Sequence, residues 1–172
     1  MQALVVFESM FGNTQEVARA VADGLSTRME VELMEVGEAV WRPGTTLLVV
    51  GGPTHAFGMT RPGTRADAAK QLGSAVISDR TGIREWLEAL PSAPAGTAAA
   101  AFDTRVTHPR MPGSAARAMH KRLRRSGLEL VAPSESFWVE GTKGPLVAEE
   151  TTRARTWGAS LADDVVARAA AS

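Results

Sequence analysis

The residues with the clearest chemical capacity stand together near the start of the chain, in the run Ser9, Met10, Phe11, Gly12, Asn13, Thr14. The run lies between a short apolar stretch, Ala3 to Phe7, and a segment with helical periodicity. A strand-to-helix turn leaves the first amides of the helix without intrahelical acceptors, and the helix dipole adds partial positive charge there. Such a turn suits an anion. Ser9 and Thr14 can donate hydroxyl hydrogens and Asn13 an amide hydrogen, while Gly12 lets the backbone approach an oxyanion closely. No lysine or arginine stands in the turn, so an anion held there meets neutral donors instead of an ion pair.

Spacing separates this turn from other phosphate-binding turns. A P-loop needs a lysine directly after its second glycine, and none follows Gly12. The dinucleotide fingerprint needs three glycines after the first strand, and one is present. A phosphate-accepting receiver domain would carry an aspartate at the end of its third strand, where this chain has Gly51 and Gly52. On spacing alone, a well-capped turn that binds nothing remains the alternative.

The elements that position the turn follow from periodicity. Ala3–Phe7 is a continuous apolar run and reads as a buried strand. Val17, Val21 and Leu25 recur on one face of a helix from Thr14 to about Arg28. Val31–Val36 alternates and reads as an edge strand; Thr45–Gly52 is the strongest buried strand. A long Gly/Pro/Thr-rich segment follows, with a short helix near Thr64–Leu72, and Ile83–Leu90 is helical. A fourth strand covers about Thr97–Phe102, and a helix from Ser114 to Ser126 is stopped by Gly127. The fifth strand begins at Leu128 and continues, after a break at Pro133, through Glu135–Gly141. A last helix from about Glu149 to Ala169 buries Trp157, Leu161 and Val165. Apolar strands alternating with amphipathic helices indicate an α/β, three-layer doubly wound domain around a five-stranded parallel sheet, spanning all 172 residues. Ligands in such folds sit beyond the carboxyl ends of the strands. That selects three loops: Ser9–Thr14, Pro53–Thr60 and Asp103–Pro109.

Composition narrows the function classes. Cysteine is absent, which excludes disulfides, thiolate nucleophiles and thiolate-bound metals, and fits a reducing, cytoplasmic setting. No stretch approaches the roughly 20 apolar residues of a membrane helix, and the start lacks the pattern of a secretory signal. The formal net charge is zero, so nothing global points to nucleic acid or a membrane surface. Arg105 to Arg125 is nevertheless basic, with Arg110, Arg117, Lys121, Arg122, Arg124 and Arg125; a charge run of this kind usually forms a solvated helix face.

The stretch "VVFESMFGNTQEVARAV" resembles the signature of the flavodoxin family, carried here by Phe7, Ser9, Gly12, Thr14, Ala18 and Val21. The resemblance extends to the strand count, to "GGPTHAFGMT" after the third strand and to "FDTR" after the fourth. It implies a sheet of order 2-1-3-4-5 and a site for flavin mononucleotide (FMN). The Ser9–Thr14 turn would hold the phosphate. Pro53, Thr54, His55, Phe57 and Gly58, together with Asp103, Thr104 and Arg105, would flank the isoalloxazine ring. The chain departs from the family in having no tyrosine and no strong acidic excess. His55 and Phe57, with Met59 and Trp138 behind them, are the candidates to stack on the ring. Arg105 at the ring's N1/O2 edge would favour the anionic reduced flavin and raise its potential; an ordinary exposed arginine is the alternative. Two functions stay open within the resemblance, an electron carrier and a small FMN-dependent reductase, served by a redox partner protein or a small-molecule acceptor. A flavodoxin-like binding or regulatory module without redox chemistry is the reading from another class.

Overall fold

A computed structural model describes residues 1–55, 57–73, 76–91, 94, 96–109 and 112–171. In chain order the elements are β1 (Gln2–Phe7), α1 (Asn13–Leu25), β2 (Glu30–Glu35), β3 (Thr45–Pro53), α2 (Pro62–Leu72), α3 (Ile83–Ala89), β4 (Ala98–Val106), α4 (Ala115–Arg125), β5 (Glu129–Leu130), β6 (Glu135–Val139) and α5 (Glu150–Ala170). The strands pair in parallel in the order β2-β1-β3-β4-β5, and β6 pairs with the far half of β4. This is the expected doubly wound order.

The continuous apolar runs of β1 and β3 exist because both sheet faces are covered. On one face Val5, Phe7, Val49 and Phe102 pack against Val17, Val21 and Leu25 of α1 and Leu161 and Val165 of α5. On the other, Leu4, Leu48 and Val50 pack against Ile83 and Leu87 of α3 and Met119 and Leu123 of α4. Phe102, Phe137 and Trp157 meet edge-to-face at 6.0–6.1 Å between ring centres, an arrangement aromatic quadrupoles favour. β2 is an edge strand and stays half-buried for most of its length.

Two differences from the sequence reading bear on the site. β4 runs on to Val106, because residues 102–106 pair with residues 135–139 of β6. Asp103, Thr104 and Arg105 are therefore strand residues and not loop residues. The fifth strand is split as expected, but its two pieces, on either side of Pro133, both use β4 as their partner. Among the described residues no helix is long and apolar enough to cross a membrane.

The α1–α5 contact is made close by two glycines. A Cβ on Gly24 would lie 2.1 Å from the Arg155 carbonyl oxygen, and one on Gly158 would lie 2.3 Å from that of Val21. The obstacles are backbone atoms, so neither can yield by a rotamer change. Gly158→Ala is expected to lower the unfolding free energy by about 1–3 kcal/mol, read from urea denaturation of the variant beside the wild type.

Candidate functional site

The carboxyl ends of β1, β3 and β4 and the loop after β6 open onto a cleft of about 310 Å³, near the low end of the range typical of small-molecule sites. From the first turn Ser9, Met10, Phe11, Asn13 and Thr14 line it; Pro53, Thr54 and His55 come from the end of β3. Thr104 and Val106 of β4 and Val139 and Thr142 complete the sheet side. The outer wall is α2, through Thr64, Asp67, Ala68 and Gln71, positions that share one helical face. Opposite it, Lys143 donates to the Gln71 carbonyl at 3.0 Å.

The turn is held by its own serine. Ser9 is buried, and its Oγ accepts from the Gly12 and Gln15 amides at 3.2 and 3.3 Å. Gly12 takes φ 96°, a conformation that favours glycine. Backbone bonds between Ser9 and Ser78 (2.9 Å) and from the Ser9 amide to Ser78 Oγ (3.0 Å) fix the turn from behind. The Asn13 and Thr14 amides are left without a protein acceptor among the described residues. Thr14 Oγ1 lies 2.7 Å from Thr104 Oγ1. If Thr104 donates within this pair, the Thr14 hydrogen is available to a ligand. Asn13 packs on Gly144, where a Cβ would sit 2.4 Å from its Oδ1.

The second and third loops divide their residues. His55 and Gly58 exchange two backbone hydrogen bonds, at 2.9 and 3.0 Å, which turns the chain tightly. His55 reaches the cleft, and burial holds its imidazole below the usual histidine range, hence neutral at pH 7. Phe57, at the tip with φ 76°, is 55% exposed, and neither it nor Gly58 lines the cleft. Gly12 does not line it either. Met59 is buried in the core beside α3 and α4.

Asp103 and Arg105 lie outside the cleft, because side chains alternate along β4. Thr104 points to the α1 side, and its two neighbours point to the other. Asp103 is buried, and its Oδ2 accepts from the Thr54 hydroxyl (2.7 Å), the Ser114 hydroxyl (2.7 Å) and the Ala116 amide (2.9 Å). It anchors the start of α4 beside the cleft. The Arg105 guanidinium lies 5.3 Å from the centre of the Trp138 ring, its neighbour across the β4–β6 pair. The expected ring neighbour Arg105 and the stacking candidate Trp138 thus lie against each other, and neither is among the residues lining the cleft. Arg110 of the basic run lies outside the described residues.

Sequence reading missed Glu8, next to the turn. It is fully buried, accepts from the Thr60 hydroxyl and from the Ile83 amide (2.8 Å), and lies 4.0 Å from Arg65. Arg65, buried on α2, forks onto Glu85 at 3.2 and 3.3 Å and reaches the Thr60 hydroxyl at 3.2 Å. The only signal was a carboxylate directly after an apolar strand and before a polar turn. For Glu85, burial acts upward, yet the Arg65 fork outweighs it and the carboxyl ends below its ordinary range. For Glu8, burial dominates the hydrogen bonds and Arg65, and raises its carboxyl above the ordinary value of 4.5. A raised folded-state pKa stabilises most fully below the unfolded value and loses that contribution as pH rises through the folded one. The stability of wild type relative to Glu8→Gln should therefore be greatest below about pH 4.5 and fall at higher pH. Urea midpoints of both proteins across a pH series measure this.

No protein-family model matches the chain, and no curated protein matches it in sequence. Solved structures do resemble it. A flavodoxin from the domain Archaea is 16% identical, with 96% of this chain and 99% of that chain covered and a TM-score of 0.66. Oxidised flavodoxin 1 from Bacillus cereus is 17% identical, with 95% and 98% covered and a TM-score of 0.66. The flavodiiron core from Synechocystis is 13% identical, covering 98% of this chain but 36% of that one, at a TM-score of 0.61. These likenesses show that the chain has the flavodoxin-like fold.

Proposed function

We propose that this flavodoxin-like domain binds FMN non-covalently in the cleft and serves electron transfer. The observation that carries the reading is the hydroxyl pair Thr14–Thr104 beside two unclaimed amides at the start of α1, opening into a cleft with apolar walls. The donor set suits a phosphate held without ion pairing. Met10, Pro53, Val106 and Val139 suit an aromatic heterocycle. The fold shared with the flavodoxins supports the same assignment.

Thr14, Asn13 and the first amides of α1 would hold the phosphate, with Thr104 orienting the Thr14 hydroxyl. Pro53, His55 and Val106 would bound the ring. A neutral His55 offers a hydrogen bond without a charge. When bound, the flavin supplies one- or two-electron redox chemistry. The protein's contribution is to position it and exclude water. The α2 wall favours a second version, a small reductase, since Thr64, Asp67 and Gln71 supply polar groups for a second substrate. Reduction by a nicotinamide in rapid mixing would support the reductase; two well-separated one-electron potentials would support a carrier.

Purified protein should be yellow and release stoichiometric flavin on denaturation. A colourless protein that ignores micromolar FMN would overturn the proposal and favour a non-redox module. Thr14→Val should weaken FMN binding by about 1–3 kcal/mol, measured by fluorescence quenching on titration; unchanged affinity would place the phosphate elsewhere.

A further inference from the structure

α4 carries five of the chain's 19 cationic residues and no carboxylate. Its buried face is Ala115, Ala116, Met119 and Leu123. The opposite face presents Arg117, Lys121, Arg124 and Arg125, spaced i, i+4, i+7 and i+8, all exposed. None of these four, nor the half-buried Arg122, takes part in an ion pair among the described residues. Helix stability explains part of this pattern, because cations in the last turn oppose the dipole. It does not explain Arg117, which stands in the first turn, where a cation is unfavourable.

The stripe has a defined relation to the cleft. The first amide of α4, that of Ala115, donates to Thr54 Oγ1 at 2.9 Å, and Thr54 lines the cleft. From Arg117 to Arg125 the stripe then runs about 12 Å at 1.5 Å per residue away from the cleft end. The whole chain has zero net charge, so the cations of α4 are balanced by carboxylates elsewhere and the molecule is polarised. A short basic stripe on a chain whose other residues are net acidic matches one patch of a partner better than the extended basic track a nucleic acid requires.

We infer that the exposed face of α4 is a docking surface for an acidic redox protein, which it orients toward the cleft. The inference rests on the proposed flavin site for its purpose, but not for the binding itself. Opposite charge steers such encounters and sets their orientation.

The probe is a plant-type ferredoxin, an acidic one-electron carrier, labelled for fluorescence anisotropy and titrated with the flavin-loaded and the flavin-free protein. Binding is expected at low ionic strength and should weaken about tenfold or more toward physiological salt. The triple variant Arg117→Glu, Lys121→Glu, Arg124→Glu should lose about another tenfold, while Arg117→Lys with Arg124→Lys retains binding. Circular dichroism checks that the variants keep the fold. Absence of binding at low salt, equal affinity after charge reversal, or tighter binding to a short DNA duplex or to anionic vesicles would overturn the inference. A protein that holds no flavin yet still binds in this charge-dependent way would overturn the proposed function and leave the docking surface standing.

Discussion

A carboxylate without water around it constrains this end of the molecule. Glu8 directly follows strand β1 and adjoins the anion-suited turn, yet it is fully enclosed. A buried carboxyl must be paired, hydrogen-bonded or protonated. Here it draws three segments inward: the Thr60 hydroxyl, the first amide of α3 and the guanidinium of Arg65. α2 depends on this arrangement more than on apolar burial, since the side chains it buries are Arg65 and Ala68. The wall of the cleft is thus held by a polar network with one end on the strand that carries the turn.

The site itself uses the opposite strategy. Where a ligand would sit, the donors are hydroxyls and amides; the charged side chain lining the cleft is Asp67 on the α2 wall, and the nearby guanidinium groups are held elsewhere. Arg65 is committed to carboxylates, and Arg105 lies over Trp138. An anion bound by neutral donors is recognised through geometry, which gives Ser9, Gly12 and Thr104 the part of positioning groups in the proposed site.

Much of the architecture was legible because burial on both faces of a parallel sheet writes itself as continuous apolar runs, and the covering helices as 3.6-residue periods. The helix over Thr64–Leu72 was legible too, starting two residues earlier because Pro62 fits a first helical position. What local pattern could not contain were the non-local pairings. The length of β4 is set by β6, and that extension decides which side Asp103, Thr104 and Arg105 face. Thr104 joins the cleft for the same reason that its neighbours leave it. Glu8 was illegible for a related reason: its partners Thr60, Arg65 and Ile83 are far along the chain, and no period links them.

The two glycines between α1 and α5 join segments that are far apart in the chain. β1, the turn and α1 come early in the element order, while the helix that seats α1 comes late in it. Until α5 arrives, the face of α1 bearing Val17, Val21 and Leu25 lacks part of its cover, and the backbone contacts at Gly24 and Gly158 cannot form. The helix behind the turn therefore completes its apolar cover only when a segment distant in the chain returns to it.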